Sequence, residues 1–159
     1  MAKANKVENI EKKEKSGKEY IFALGRRKEA VARVRLYANA KASVLWGDKE
    51  VKKGEIFVNS IPASSYFYGD SAKIEYMRPF KITNFDKFIV TAKVEGGGKK
   101  GQLDAMVLGI ARALNLLDRE KFRPLLKKKG LMTRDSRVRE RRKVGTGGKA
   151  RRKKQSPKR

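Results

Sequence analysis

The chain has 159 residues, with 42 Lys or Arg against 17 Asp or Glu and a formal net charge of +25 at pH 7, which concentrates anionic partners and opposes association with other cations. It contains no cysteine and no histidine, which excludes disulfides, thiolate metal sites and imidazole bases. No apolar run approaches the ~20 residues of a membrane span, and the length suits one domain with tails.

Residues 1–18 hold six Lys and three Glu, with only Val7 and Ile10 as sizeable apolar side chains. Such a stretch lacks the apolar core of a secretory signal, and its glutamates argue against a transit peptide. A mobile leader and a cytoplasmic location are expected. Residues 19–132 are expected to form the globular body, and residues 133–159 an extended basic tail.

Within the body, residues 20–24 form an apolar run that Gly25 ends, followed by Arg26, Arg27 and Lys28. Residues 30–37 alternate, with Ala30, Ala32, Val34 and Leu36 on one side and Val31, Arg33, Arg35 and Tyr37 on the other. The pattern predicts two strands, the second half-buried with arginines outward. The charged corner between them is either an ordinary hairpin turn or a phosphate clamp, in which Gly25 admits the backbone and two guanidiniums grip phosphates bidentately.

Val44, Leu45 and Trp46 before Gly47 and Asp48 suggest a small hairpin arm, and residues 55–58 a short strand. Pro62 suits a first helical turn. A further turn or two is expected over residues 71–77, stopping before Pro79. Residues 85–95 read as the longest strand.

Leu103, Met106, Val107, Ile110, Ala111, Leu114 and Leu117 then form a continuous stripe at helical spacing. Asp118 can cap a following helix, which Pro124 is expected to divide and Gly130 to stop. Leu131 and Met132 are the last apolar anchors.

Between strand and helix, Gly96, Gly98 and Gly101 satisfy the spacing G-x-G-x-x-G. A dinucleotide loop is disfavoured, because the helix leads into another helix rather than a second parallel strand. A phosphate loop of the GKS/T kind fails because Gly101 follows Lys100. Two readings stay open. The loop is a structural turn, or its close-approach glycines, free helix amides and Lys99-Lys100 receive an RNA phosphate.

From Arg141 onward, ten of nineteen residues are Lys or Arg and none is acidic. So polar a segment cannot offset its ordering entropy alone and is expected to take shape against a polyanion. At ~3.3 Å per residue, the segment from Arg137 onward reaches roughly 75 Å. A solvated tail or localisation signal is the bland alternative.

Three blocks now stand in order: GRRKEAVARVRLY from Gly25, VEGGGKKGQLDAMVLGIARAL from Val94, and LMTRDSRVRERRKVGTGGKARRKKQSPKR to the end. Together they resemble the bacterial-type small-subunit ribosomal protein nine family. The resemblance implies an α+β fold: a small, mostly antiparallel four-stranded sheet with helices on one face, similar to the second domain of ribosomal protein five, plus the long tail. It also implies a structural constituent of the small-subunit head, with ribosomal RNA, neighbouring head proteins and the peptidyl-site transfer RNA as partners. No cofactor, metal, membrane or catalytic role is implied.

The expected ribosomal-RNA-binding residues are Arg26, Arg27 and Lys28 in the corner and Gly96, Gly97, Gly98, Lys99, Lys100 and Gln102 in the loop. In the tail they are Arg134, Arg137, Arg139, Arg141, Arg142, Lys143, Lys149, Arg151, Arg152, Lys153 and Lys154. Ser156, Lys158 and Arg159 are expected at the transfer RNA; the family's usual ending reads Phe-Ser-Lys-Arg, where this chain has Ser-Pro-Lys-Arg. The alternative from another class is a free-standing basic RNA chaperone or DNA-compacting protein.

Overall fold

The computed structural model of the chain describes residues 20–38, 43–47 and 49–141. Strands β1 (Ile21–Arg27) and β2 (Ala30–Tyr37) make an antiparallel hairpin, in register from Ile21 opposite Leu36 to Arg27 opposite Ala30. Because side chains alternate along a strand, Ala30, Ala32, Val34 and Leu36 enter the core while Arg33 and Arg35 stay exposed, as their spacing predicts. Gly25 does not end β1. It lies inside the strand, and the turn falls at Lys28 and Glu29, with Lys28 at φ 52°.

The arm predicted around Trp46 is a separate two-stranded sheet of β3 (Ser43–Trp46) and β4 (Lys49–Lys52). β5 (Ile56–Val58) is followed by β6 (Ile61–Pro62), then by the helices α1 (Ala63–Tyr66) and α2 (Asp70–Thr83). β7 (Ile89–Glu95) completes the main sheet, whose order is β1-β2-β7-β5-β6.

This corrects the expected four-stranded sheet: there are five strands, in mixed orientation. β7 runs antiparallel to β2 but parallel to β5, because α1 and α2 carry the chain back before β7 begins. The extra strand is two residues long. It sits at the sheet edge, where the missing amide of Pro62 leaves no ladder bond unmade.

α2 was expected to stop before Pro79, yet it runs through that residue to Thr83. The deciding interaction is one residue further on. Phe80 is fully buried and stacked on Phe88, ring centroids 3.7 Å apart, so packing outweighs the lost helical bond. Asn84, in the left-handed conformation at φ 49°, ends the helix. The segment before Ile89 serves this contact, which is why β7 is shorter than the run over residues 85–95 suggested.

α3 (Lys99–Leu117) lies across the inner sheet face and buries Leu103, Met106, Ile110, Ala111 and Leu114. Each such large aliphatic side chain contributes roughly 1.5–3 kcal/mol on burial. Helix and strand meet at Gly25 and Gly109. A Cβ on Gly25 would stand 1.8 Å from the Ala105 carbonyl oxygen and 2.6 Å from the Gly109 nitrogen. The sequence left Gly25 between a hairpin corner and a phosphate clamp; in the fold it admits a helix.

α4 (Arg119–Lys128) is capped by Asp118, whose Oδ1 accepts the Lys121 amide at 3.1 Å, as expected. Pro124 does not divide it. Gly130, at φ 71°, closes it: the Gly130 amide donates to Lys127 and the Leu131 amide to Leu126, the paired bonds of a Schellman ending. Leu131 and Met132 pack against the core.

Among the described residues, the outer sheet face is covered at one end, where the β3–β4 hairpin brings Val44, Trp46 and Val51 against Tyr37, Phe57 and Ile89. No helix among the described residues is long and apolar enough to cross a membrane.

Candidate nucleic-acid interface

The β1–β2 turn and the glycine loop, far apart in sequence, are neighbours in the fold. Gly96 and Gly97 have φ of 74° and 59°, a conformation that costs a side-chain-bearing residue. A Cβ at Gly96 would lie 2.5 Å from the carbonyl oxygen of Glu29. These glycines seat the loop against the turn, a structural use of the pattern.

Two polar side chains hold the loop. The Asn59 amide donates to the Val94 carbonyl at 2.9 Å and accepts the Val94 amide at 2.8 Å, like one more strand residue beside β7. Gln102 Nε2 donates to the Gly96 carbonyl at 3.0 Å, and its Oε1 accepts the Tyr66 hydroxyl at 2.9 Å. Gly98 precedes the first turn of α3 without a side-chain cap, so the orphan amides there have no side-chain acceptor.

The cations divide into two groups. Arg26, Lys28, Arg134, Arg139 and Arg141 are exposed and make no ion pair among the described residues. Lys99 is exposed too, its ammonium 3.4 Å from the centre of the Tyr66 ring. The others are engaged internally. Lys100 Nζ meets both carboxylate oxygens of Glu75 at 2.5 Å, with Asp104 at 3.7 Å, and the Glu75 bond raises its pKa.

Arg27 is the most enclosed cation of the site, 12% of its side chain being exposed. Its Nε faces Asp104 at 3.6 Å and its Nη1 reaches Asp135 Oδ1 at 2.8 Å. The same Nη1 donates to the carbonyls of Asp135 and Arg137 at 3.2 and 2.9 Å. Arg137 in turn grips Asp135 through Nε and Nη2, at 2.7 Å for the shortest bond. Arg27, expected at RNA, holds the root of the basic segment to the body.

Sequence reasoning passed over Glu75, Asp104 and Asp135. Asp135 was visible between Arg134 and Arg137, but its partner Arg27 lies more than a hundred residues earlier. Arg142, Lys143, Lys149, Arg151, Arg152, Lys153, Lys154, Ser156, Lys158 and Arg159 lie outside the described residues, as does the leader.

Arg137 and Arg27 hold the Asp135 carboxyl far below its ordinary value of 3.8. A depressed acid contributes stability above its unfolded pKa and loses it as pH falls through the folded one. The latch therefore persists from neutrality to pH 4 and opens only in stronger acid. Arg27→Ala is expected to cost about 1–2 kcal/mol, reduced from the usual charged-bond value by solvent at the acids. It should also speed hydrogen exchange at the Arg137 amide, which Asp135 accepts at 3.0 Å. Unchanged exchange there would show that the root is held by something else.

A mixed sheet backed by helices, with a cationic edge and an arginine-rich extension rooted in it, defines a small basic α+β protein of polyelectrolyte character. The profile of the family Ribosomal protein S9/S16 matches residues 25–159. The chain belongs to that family. It is 44% identical over 124 residues to the Small ribosomal subunit protein uS9 of Leifsonia xyli subsp. xyli, covering 77% of this chain and 66% of that one. The protein of that name from Arthrobacter sp. is 42% identical with the same coverage. That from Maridesulfovibrio salexigens is 41% identical over 132 residues, 82% of this chain and 91% of its own length. The chain thus spans 66% of the length of the first two relatives.

Proposed function

We propose that the chain is a structural constituent of the small ribosomal subunit, not an enzyme. The body docks on ribosomal RNA of the head through the β1–β2 turn and the glycine loop. Arg26, Lys28 and Lys99 offer their charge outward, while Arg27, Lys100 and Gln102 keep the surface in shape. The segment from Arg134 threads the RNA, and Ser156, Lys158 and Arg159 meet the peptidyl-site transfer RNA.

One observation carries this reading: the family match continues to residue 159, through the acid-free run. Ten cations and no acid between Arg141 and Arg159 call for a polyanion, and a phosphate backbone supplies one at regular spacing. The pinned root supports it, since a ribbon entering folded RNA needs a fixed point of departure.

Deleting residues 155–159 tests the tip. The shortened chain is expected to enter subunits and sediment with them, while transfer RNA retention at the peptidyl site weakens roughly tenfold, or about 1.4 kcal/mol. Filter binding without loss would overturn the tip's role. A full-length chain that stays at the top of a sucrose gradient would favour the free-standing chaperone instead.

A further inference from the structure

The open half of the outer sheet face is a second cationic surface, apart from the turn, the loop and the tail. Its composition follows from the register. Phe22 lies opposite Arg35, Arg26 opposite Val31, and Arg33 opposite Lys93, so all of these project from the side away from α3. The β3–β4 hairpin covers the far end of this side, and no described element covers the near end.

Among the described residues, three cations, Arg33, Arg35 and Lys93, share this half with one acid, Glu95, and Arg26 of the turn borders it. Glu95 holds Arg33 at 2.9 Å and Lys93 at 3.2 Å, but all three side chains are about half exposed or more. Exposed pairs of this kind contribute little and exchange readily for an incoming anion. Arg35 rests 5.0 Å from the centre of the Tyr20 ring, which orients its guanidinium. Beside it Phe22, a large apolar ring on an edge strand, is 48% exposed.

We infer that this face binds an unpaired stretch of ribosomal RNA, with Arg33 and Arg35 on successive phosphates, Lys93 beside Arg33 on the same one, and Phe22 under a base. Arg33 and Arg35 stand two residues apart on a strand rising about 3.3 Å per residue, a repeat close to that of phosphates along an extended single strand. A nucleotide brings a charge and a flat ring on one repeat. An acidic peptide brings the charge without the plane. Stacking on aromatic rings is how sheet surfaces take up splayed bases. The inference rests on RNA being the partner, as proposed above, and adds a surface to which no role was assigned.

The test uses the full chain and transcribed small-subunit ribosomal RNA. Arg33→Gln with Arg35→Gln is expected to lower affinity about tenfold and to flatten the log–log salt slope by about 1.4, or 0.7 per single-strand phosphate. Phe22→Ala should also weaken binding about tenfold, from the loss of one stacked base, and leave the slope unchanged. The sole tryptophan, Trp46, is packed at the covered end of the face, and unchanged emission certifies folding.

Should a variant misfold, an independent route remains. The chain has no cysteine, so Val31→Cys carrying a tethered iron chelate on the same face is expected to cleave nearby RNA. Wild type binding with variants indistinguishable from it, or a tether that cleaves nothing, overturns the inference. So does unaltered RNA affinity combined with loss of a neighbouring subunit protein, which would make the face a protein contact. If wild type itself fails to bind, the functional proposal falls instead, and the two failures stay distinct.

Discussion

A Gly25→Ala chain is expected to be destabilised by about 3 kcal/mol or more, the upper range for forced overpacking. The added methyl would sit 1.8 Å from the Ala105 carbonyl oxygen and 2.9 Å from its carbon, both backbone atoms of α3. No rotamer change relieves such a clash; β1 and the helix must move apart. Separation also loosens Val34, which lies where a Cβ on Gly109 would come within 2.7 Å of its Cγ2. Against a total stability of ~5–15 kcal/mol for a domain, one methyl removes a large share. Gly98 provides the control. It has φ −109° and open space around it, so Gly98→Ala should cost at most about 1 kcal/mol through weaker capping. Urea unfolding of the two chains side by side decides the matter, and equal midpoints would refute close backbone packing at Gly25.

The second large effect concerns the basic run. Replacing the eight cations from Arg141 to Lys154 by Gln removes most of the extension's charge and leaves the body's cations, with Arg134, Arg137 and Arg139 at the root, to hold RNA. Affinity for small-subunit ribosomal RNA at low salt is expected to fall about a thousandfold. The wild-type chain should lose 10³ to 10⁵ in affinity between 50 and 200 mM salt if it neutralises roughly six to ten phosphates, and the variant far less. Filter binding across a salt series measures both. Parallel, shallow lines for the two chains would show that the run does not thread RNA.

Features set by neighbours in sequence were legible beforehand. The alternation from Ala30 to Leu36 and the stripe from Leu103 to Leu114 each report a local period, and both face the core as expected. Asp118 and Gly130 act within a few residues of themselves and also fall where expected. What escaped was set from afar. Pro79 looks like a stop until Phe80 finds Phe88, and Gly25 looks like a turn until α3 crosses it. The parallel pairing of β5 with β7 depends on helices between them.

The same holds for the interface. Its cationic character was plain from composition, but a side chain's charge does not say whether that charge is free. Arg26 and Arg27 are adjacent and chemically identical; one points to solvent and the other is enclosed by acids from α3 and the root.

The contact between Arg27 and Asp135 joins the first strand to a point 108 residues later. Closing so long a loop in a loose chain is entropically unfavourable, and one ion pair is too weak to hold it shut. It can persist only after the sheet and its helices have brought the two ends together. Residue 135 follows every strand and helix of the described residues, so during synthesis the junction forms only after all of them have emerged. Its closure marks a completed body: before it, Arg134, Arg137 and Arg139 have no fixed place, and after it they stand at a set point on the surface.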